Sequence, residues 1–214
     1  FLDELAEFPR TVLDQLRQHL EEGAVQISRA QQSTVFPALI TLVAATNPCP
    51  CGWHGDRDHG CRCSISQRQR YWQRLSGPLL DRLDLQLRLE RSSAREMAAV
   101  LKQPRQTQAS ASWCKPALIE RARQRMQRRN PNGASNGRLS AAALQQSGAI
   151  EATALELWEQ LINQRGLSTR SSLQLLRVAR TIADLNDRTT VDRNAVAEAS
   201  CFRCTDLLKQ PGAQ

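Results

Sequence analysis

The sequence predicts an α/β part with a buried parallel sheet, followed by a part built of helices alone. Residues 40–45, Ile-Thr-Leu-Val-Ala-Ala, form a continuous apolar run that is typical of a strand covered on both faces. From about Ser92 onward, apolar residues recur only at helical spacing. The polar stretch 103–112 contains a proline and is typical of a linker. We therefore expect a core part at 1–91, a connecting helix and linker at 92–112, and a helical domain at 113–214.

The composition favours a protein that meets polyanions in a reducing compartment. The formal charge is +8, and 26 of the 29 basic residues are arginine, whose planar guanidinium suits phosphate. No run of 18 apolar residues and no signal peptide occurs, so we expect a cytoplasmic protein without a membrane partner. Because the chain opens on Phe1 rather than Met, we also expect it to be a fragment of a longer protein.

The α/β part begins in an apolar pair that leads into Asp3 and Glu4, and Asn47 follows the predicted strand 40–45. Ligands of open α/β sheets bind beyond the carboxyl ends of the strands, so these three side chains are expected to converge. The other elements predicted here are a helix from Pro9 to Gly23, a hairpin over 25–36, a helix over 66–75 and a strand over 85–89.

The remaining elements are all helical. The pattern of apolar residues predicts helices at Ser93–Lys102, Pro116–Arg129, Ser140–Gln146, Ile150–Asn163, Ser168–Asn186 and Asp192–Cys201.

An apolar strand that ends in Asp3-Glu4 has the chemistry needed to hydrolyse a nucleoside triphosphate. The first carboxylate can hold a Mg²⁺ shell and the second can polarise an attacking water, which Asn47 could orient. The alternative is a structural role, because carboxylates at a helix N-terminus stabilise the helix through their interaction with its dipole.

Two arginines are candidates for contacts to the transferred phosphate. Arg82 lies in a short element between a predicted helix and strand, from which it could reach a neighbouring subunit, although an ion pair with Asp81 or Asp84 is equally compatible. Arg170 lies in the first turn of a helix that Ser168 can cap, where it meets either phosphate or solvent.

Cys49, Cys51, Cys61 and Cys63 form two Cys-x-Cys pairs that can supply four sulfurs to a tetrahedral ion, and zinc is the natural candidate. Free thiols or a redox pair are the alternatives, and either His54 or His59 is a possible substitute for one thiolate. A site closed by four thiolates stiffens its loop and does not catalyse. The other cysteines, Cys114, Cys201 and Cys204, are expected to be buried as small apolar residues.

A basic cluster on one predicted helix is a candidate nucleic-acid contact, with a solvated face as the alternative. Its residues are Arg121, Arg123, Arg125, Arg128 and Arg129, and Arg29 in the hairpin connection is added to the candidate contacts.

Several motifs together resemble the magnesium-chelatase-like ComM/YifB family of bacterial AAA+ ATPases, from the ATP-hydrolysing strand onward. They are FLDE at 1–4, LEEG at 20–23, ISRA at 27–30, AATNPCPCG at 44–52, LSGPLLDR at 75–82, LSTR at 167–170 and RVARTIADL at 177–185. The resemblance covers nearly the whole chain, and its most specific stretch is NPCPCG at 47–52.

The resemblance implies a role for each candidate residue. Asp3 and Glu4 become the Walker B pair, with Asp3 on Mg²⁺, and Asn47 becomes sensor 1. Arg82 becomes an arginine finger that acts on a neighbouring subunit, and Arg170 becomes sensor 2. The resemblance also implies that ATP is the substrate and that the protein assembles as a homo-hexamer. It implies a motor that drives branch migration of double-stranded or branched DNA during recombination in natural transformation. The hairpin around 28–34 would face the pore.

The departure from the family pattern is the missing phosphate-binding loop, since no glycine in this chain precedes a lysine. We therefore expect the 214-residue chain alone to be inactive as an ATPase. Two other functions stay open. One is an ATPase subunit of a true magnesium chelatase, and the other is a zinc-stabilised module that binds nucleic acid.

Overall fold

The structure is a computed structural model that describes residues 1–29, 32–56, 58–102, 115–147 and 149–203. The described residues divide into two compact units, one within 1–83 and the other within 84–203. The predicted linker 103–112 lies outside the described residues.

The first unit combines short helices with one antiparallel hairpin. Its elements are α1 (Arg10–Glu22), β1 (Ala24–Arg29), β2 (Gln32–Pro37), α2 (Ile65–Trp72) and α3 (Gly77–Leu80). The hairpin confirms the prediction for 25–36, with Ala24 paired to Pro37 and Arg29 to Gln32.

Local sequence signals set the ends of these helices. Gly23 ends α1 in the left-handed conformation at φ 62°, which a glycine adopts without a Cβ clash. Ser64 and Gln67 form a reciprocal capping box at the start of α2. Ser76 caps α3 by accepting a hydrogen bond from the Leu79 amide.

The core of the first unit brings α1, α2 and α3 onto the segment that follows the first residues of the chain. Its buried members are Leu5, Ala6, Leu13, Tyr71, Leu75, Leu79 and Leu80. Ala44 and Leu2 pack at its margin, so the candidate carboxylates at 3–4 are attached directly to this core.

The predicted parallel sheet is not present among the described residues. Of the run 40–45, only Ala44 pairs with another segment, in a single parallel bridge to Leu2, and 85–89 forms no strand. The physical reason is that a parallel strand needs hydrogen-bonded neighbours, and these segments have too few within the described chain. The side chains of Ile40 and Val43 are accordingly about half exposed.

The second unit is helical, as the sequence predicts, and each observed α-helix begins within two residues of its expected start. The elements are α4 (Ala94–Lys102), α5 (Pro116–Arg129), α6 (Ala141–Ser147), α7 (Ala152–Arg165), α8 (Thr169–Leu185) and α9 (Arg193–Cys201).

Helix α8 is the centre of this unit, and it packs against α5, α7 and α9. Its apolar face joins a buried cluster formed by Ala154, Leu161, Leu175, Ala179, Ile182, Ala183, Val191, Ala195, Val196 and Ala199. Ser168 caps α8, as expected, by accepting a hydrogen bond from the Ser171 amide.

The expectation that Cys201 is buried is wrong, because this thiol is exposed at the end of α9. Cys114 and Cys204 lie outside the described residues. Within the described ranges, every helix is too short or too polar to cross a membrane.

Candidate functional site

The two segments that carry the candidate catalytic side chains lie side by side in parallel. The Leu2 amide donates to the Val43 carbonyl at 2.9 Å, and the Ala45 amide donates to the Leu2 carbonyl at 2.9 Å. The Leu5 amide then donates to the Ala45 carbonyl at 2.8 Å. These bonds fix residues 3–4 beside the segment that leads to Asn47, as expected for adjoining ends of parallel strands.

Asp3 and Glu4 are both exposed at this edge, and their backbone is unusual. The backbone of Glu4 has φ 51° and ψ 46°, a left-handed conformation that residues other than glycine rarely adopt. The Asp3 Oδ1 atom accepts a hydrogen bond from the Glu4 amide at 2.9 Å. Two exposed carboxylates are suitable ligands for a hard cation such as Mg²⁺.

Asn47 is exposed and follows Thr46, whose hydroxyl lies 3.1 Å from the Tyr71 hydroxyl of α2. Burial raises the pKa of Tyr71, and the nearby carboxylates of Glu7 and Glu4 raise it further. The phenol is therefore protonated at neutral pH and lies within the electrostatic reach of Glu4. Tyr71 was not identified from the sequence, although it is the only tyrosine in the chain.

The four predicted cysteines converge into one cluster. Their sulfurs all lie within 4.8 Å of one another, with Cys49 to Cys51 at 3.4 Å, Cys49 to Cys61 at 3.7 Å and Cys51 to Cys61 at 3.6 Å. A disulfide would need about 2.05 Å, whereas a tetrahedral zinc ion with bonds of about 2.3 Å separates its sulfurs by about 3.8 Å. The four sulfurs together therefore fit a closed zinc site, and His54 and His59 are not needed as ligands.

The surroundings of the cluster favour the thiolate at Cys51 and the protonated thiol at Cys49 and Cys63. Backbone hydrogen bonds from Trp53 and Arg62 lower the pKa of Cys51 to about 6. Burial raises the pKa of Cys49 and raises that of Cys63 to about 12. Arg68 of α2 donates to the Cys63 carbonyl at 2.8 Å, so the start of α2 is attached to the cluster.

Arg82 follows α3 and turns back onto its own unit. Its guanidinium forms an ion pair with Glu21 of α1 and donates to the Pro78 carbonyl at 3.0 Å. Only 14% of its side chain is exposed. The sequence suggested Asp81 or Asp84 as the ion-pair partner and did not connect Arg82 with Glu21, which is distant in the chain. The arginine-finger assignment stays a prediction.

Arg170 is exposed in the first turn of α8. Two helical turns later on the same helix, Arg177 donates to the Leu139 carbonyl at 2.8 Å. Burial lowers the pKa of Arg177, Asp84 opposes that shift and the Arg170 charge adds to it. Arg170 is therefore presented to the surface beside a second guanidinium.

Arg125 and Arg129, two of the arginines assigned to a nucleic-acid face, form contacts within the helical unit, and that assignment stays a prediction. Arg129 makes two hydrogen bonds to the Asp184 carboxylate, at 2.5 and 2.8 Å. Arg125 donates to the Asp184 carbonyl at 2.5 Å and forms an ion pair with Asp187. Both guanidiniums face α8, because the helix periodicity that exposes some arginines of α5 turns these two inward.

Asp184 is the buried anchor that sequence reasoning missed. It also accepts from Asn136 at 2.8 Å and from the fully buried Arg180 at 3.0 Å. Burial alone would raise the pKa of Asp184, but the bonds from Arg129 and Asn136 and the charge of Arg180 hold it below its ordinary value. The only sequence signal was the spacing of Arg180 and Asp184, one helical turn apart.

The other residues of the predicted basic face have a different environment. Arg121, Arg123 and Arg128 are exposed on α5, so their assignment stays a prediction. Arg29 lies at the end of β1, and its side chain is outside the described part of the structure.

The fold and the motif positions agree with comparisons to known proteins. The profile of magnesium chelatase subunit ChlI matches residues 1–97, and that of the ChlI C-terminal region matches 108–203. The chain therefore belongs to the magnesium-chelatase-like family, with ComM and YifB proteins as relatives.

Three relatives illustrate this similarity. Competence protein ComM of Haemophilus influenzae is 37% identical over 213 residues, which is 98% of this chain and 40% of that protein. YifB of Salmonella typhimurium is 36% identical over 208 residues, 97% of this chain and 39% of that protein. Rv2897c of Mycobacterium tuberculosis is 35% identical over 206 residues, 96% of this chain and 39% of that protein. The chain thus spans about two fifths of the length of these relatives.

Proposed function

We propose that this chain supplies the hydrolytic carboxylates and phosphate sensors of an ATP-driven ring motor that acts on DNA. The observation that carries the proposal is the parallel bridge between Leu2 and Ala44. It brings the Asp3-Glu4 pair and the Asn47 segment to one edge, the arrangement that an AAA+ hydrolytic site needs. Family membership supports an ATPase with ATP and Mg²⁺ as its ligands.

Each residue then has a separate task. Asp3 would hold the Mg²⁺ shell, Glu4 would accept a proton from the attacking water, and Asn47 would orient that water. Arg82 would stabilise charge on a phosphate bound by the neighbouring subunit, which requires exchange of its Glu21 partner for the phosphate. Bound Mg²⁺ would neutralise charge that develops on the phosphate oxygens.

The proposal that the protein acts on DNA rests on its charge and on its similarity to related proteins. The chain carries a formal charge of +8, and exposed arginines on α5 such as Arg121 and Arg128 suit a phosphate backbone. One relative is named for competence. We propose that the full-length protein forms a hexameric ring in the cytoplasm and drives branch migration, with the cysteine cluster as a structural zinc site.

The deciding experiment is ATP hydrolysis by a full-length protein that adds a phosphate-binding loop to this chain, with and without branched DNA. Branched DNA should accelerate turnover. Glu4→Gln should lower kcat by at least about 100-fold because the proton acceptor is lost. Glu156→Gln, an exposed residue of α7, is the matched control and should leave turnover unchanged.

Full activity of Glu4→Gln would refute the hydrolytic assignment. If ATP hydrolysis requires Glu4 but is not changed by DNA, the assignment as a DNA motor is refuted and the assignment as an ATPase remains. The isolated 214-residue chain is expected to show no Mg²⁺-dependent turnover.

A magnesium chelatase subunit is the second candidate, because both matching profiles are those of subunit ChlI. Porphyrin-dependent ATP turnover would favour it over the DNA motor. The cysteine cluster keeps a third candidate open, a zinc-stabilised module that binds nucleic acid. That function predicts DNA binding by this chain without nucleotide, with an affinity that falls steeply as salt rises.

A further inference from the structure

The candidate sensor Asn47 is held by helix α2 on both of its flanks. On one side, the Thr46 hydroxyl lies 3.1 Å from the Tyr71 hydroxyl. On the other side, the Trp72 indole Nε1 donates to the Pro48 carbonyl at 3.0 Å. Asn47 itself is exposed, so the apolar core does not fix its position. Its placement therefore depends on these two neighbours in the chain and on a hydrogen bond between the Asn47 backbone and Tyr71.

Tyr71 is well suited to hold a neighbouring segment. Its side chain is 4% exposed and belongs to the buried core of the first unit. Its ring meets that of Trp72 edge to face, with centroids 6.2 Å apart. A buried aromatic ring has one packed orientation, so its hydroxyl marks a fixed point in the core.

The same helix is anchored to the cysteine cluster at its other end. Ser64, the cap of α2, follows Cys63 directly, and Arg68 donates to the Cys63 carbonyl at 2.8 Å. Cys49, the fully buried member of the cluster, lies two residues after Asn47. The segment around Asn47 is therefore held both by the C-terminal end of α2, through Thr46 and Pro48, and by the cysteine cluster, through Cys49.

We propose that Tyr71 and Trp72 are positioning residues that hold Asn47 in register beside Asp3-Glu4 by fixing Thr46 and Pro48. The proposal rests on the assignment of Asn47 as a sensor. Tyr71 and Trp72 do not touch substrate in this scheme, and they act only through the backbone and hydroxyl of the segment 46–48.

The first arm of the test uses the chain itself and does not depend on ATP hydrolysis. Tyr71→Phe removes one hydroxyl and keeps the ring in the core. The NMR signals of the Asn47 side-chain amide, assigned through Asn47→Asp, should shift or broaden in Tyr71→Phe. The signals of Asn130, buried in the other unit, serve as the control and should not move. An unchanged Asn47 signal in Tyr71→Phe and in Trp72→Phe would overturn the proposal.

The second arm measures ATP turnover by the full-length protein. Tyr71→Phe and Thr46→Val should each lower kcat by about tenfold or more, with the KM for ATP changed less than about twofold, because only orientation is lost. The double variant should be no worse than Tyr71→Phe alone, since Tyr71→Phe already removes the contact to Thr46. Thr190→Val removes a surface hydrogen bond to Glu151 and is the matched control, which should leave kcat unchanged.

The two arms separate the two hypotheses. A wild-type protein without ATPase activity refutes the proposed function, and the Asn47 signals of the chain then still decide whether Tyr71 positions that residue. Additive losses in the double variant, or an equal loss in Thr190→Val, would overturn the positioning role while the ATPase assignment stands.

Discussion

Removing the charge of Asp184 should destabilise the helical unit strongly. Its side chain is fully buried and accepts hydrogen bonds from Arg129, Asn136 and Arg180. Asp184→Asn keeps the shape and deletes the charge. Arg180, which is 0% exposed, then lacks its counter-charge inside the unit.

The expected loss in the free energy of unfolding follows from the contacts that the guanidiniums of Arg129 and Arg180 keep in Asp184→Asn. Removing one partner of a buried ion pair costs about 3–5 kcal/mol because the other charge is left uncompensated. Arg180 still donates to the carbonyls of Thr189 at 2.8 Å and Arg188 at 2.7 Å, and Arg129 is partly exposed. These remaining contacts place the loss in the free energy of unfolding at the low end, about 3 kcal/mol.

Urea denaturation of the chain, followed by circular dichroism, measures this loss directly. Arg129→Ala should cost a similar amount, whereas Arg128→Ala, an adjacent exposed arginine on the same helix, should change stability by less than about 0.5 kcal/mol. Equal stabilities of Arg128→Ala and Arg129→Ala would refute the network as a stabilising element. They would also favour Arg129 as part of the candidate nucleic-acid face.

The pH dependence gives a second check on the same network. The pKa of Asp184 is lowered in the folded state, so its contribution is present above the unfolded pKa of about 3.9 and is lost as pH falls through the folded value. The stability difference between wild type and Asp184→Asn should therefore shrink below about pH 4. A difference that stays constant down to pH 2 would contradict this linkage.

Three further outcomes are expected. Elemental analysis should find about one zinc per chain. Cys51→Ser should remove the zinc and lower the melting temperature, whereas Cys201→Ser should do neither. Retention of zinc by Cys51→Ser would contradict the four-thiolate site. Arg121→Ala should weaken DNA binding and lower the salt slope by about 1, and an unchanged slope would remove this arginine from the interface. Mixing Arg82→Ala with Glu4→Gln subunits of the full-length protein should restore ATPase activity that each variant lacks alone, because a finger that acts in trans reconstitutes intact sites; a mixture as inactive as its components would place Arg82 outside the neighbouring site.

The helical unit could be predicted from the sequence almost residue by residue, since its apolar spacing and its caps are local signals. Ser168 before α8 and Asp192 before α9 are examples of such caps. The parallel sheet was predicted from composition, and among the described residues it is represented by the single parallel bridge between Leu2 and Ala44. The run 40–45 has the composition of a buried strand, but a strand forms only where partner segments are present to complete the ladder.

The candidate site was predictable where the chemistry is carried by a compact motif. The four cysteines were assigned together from their spacing, and their sulfurs converge. The basic face on α5 was predicted only in part, because charge alone does not reveal which arginines find a buried carboxylate. The decisive residue, Asp184, is 55 positions from Arg129 in sequence, so no local pattern connects them.

The same limit explains why the contacts around Asn47 were not foreseen. Tyr71 reads as one more apolar residue of an amphipathic helix, and its hydroxyl gains meaning only when the fold brings it to Thr46. Helix α2 therefore links two features that sequence reasoning treated separately, the cysteine cluster at its start and the candidate sensor at its end. If the zinc site stabilises α2, loss of the metal should loosen the contacts to Thr46 and Pro48 as well. A structural zinc ion would then influence hydrolysis without ever touching the nucleotide.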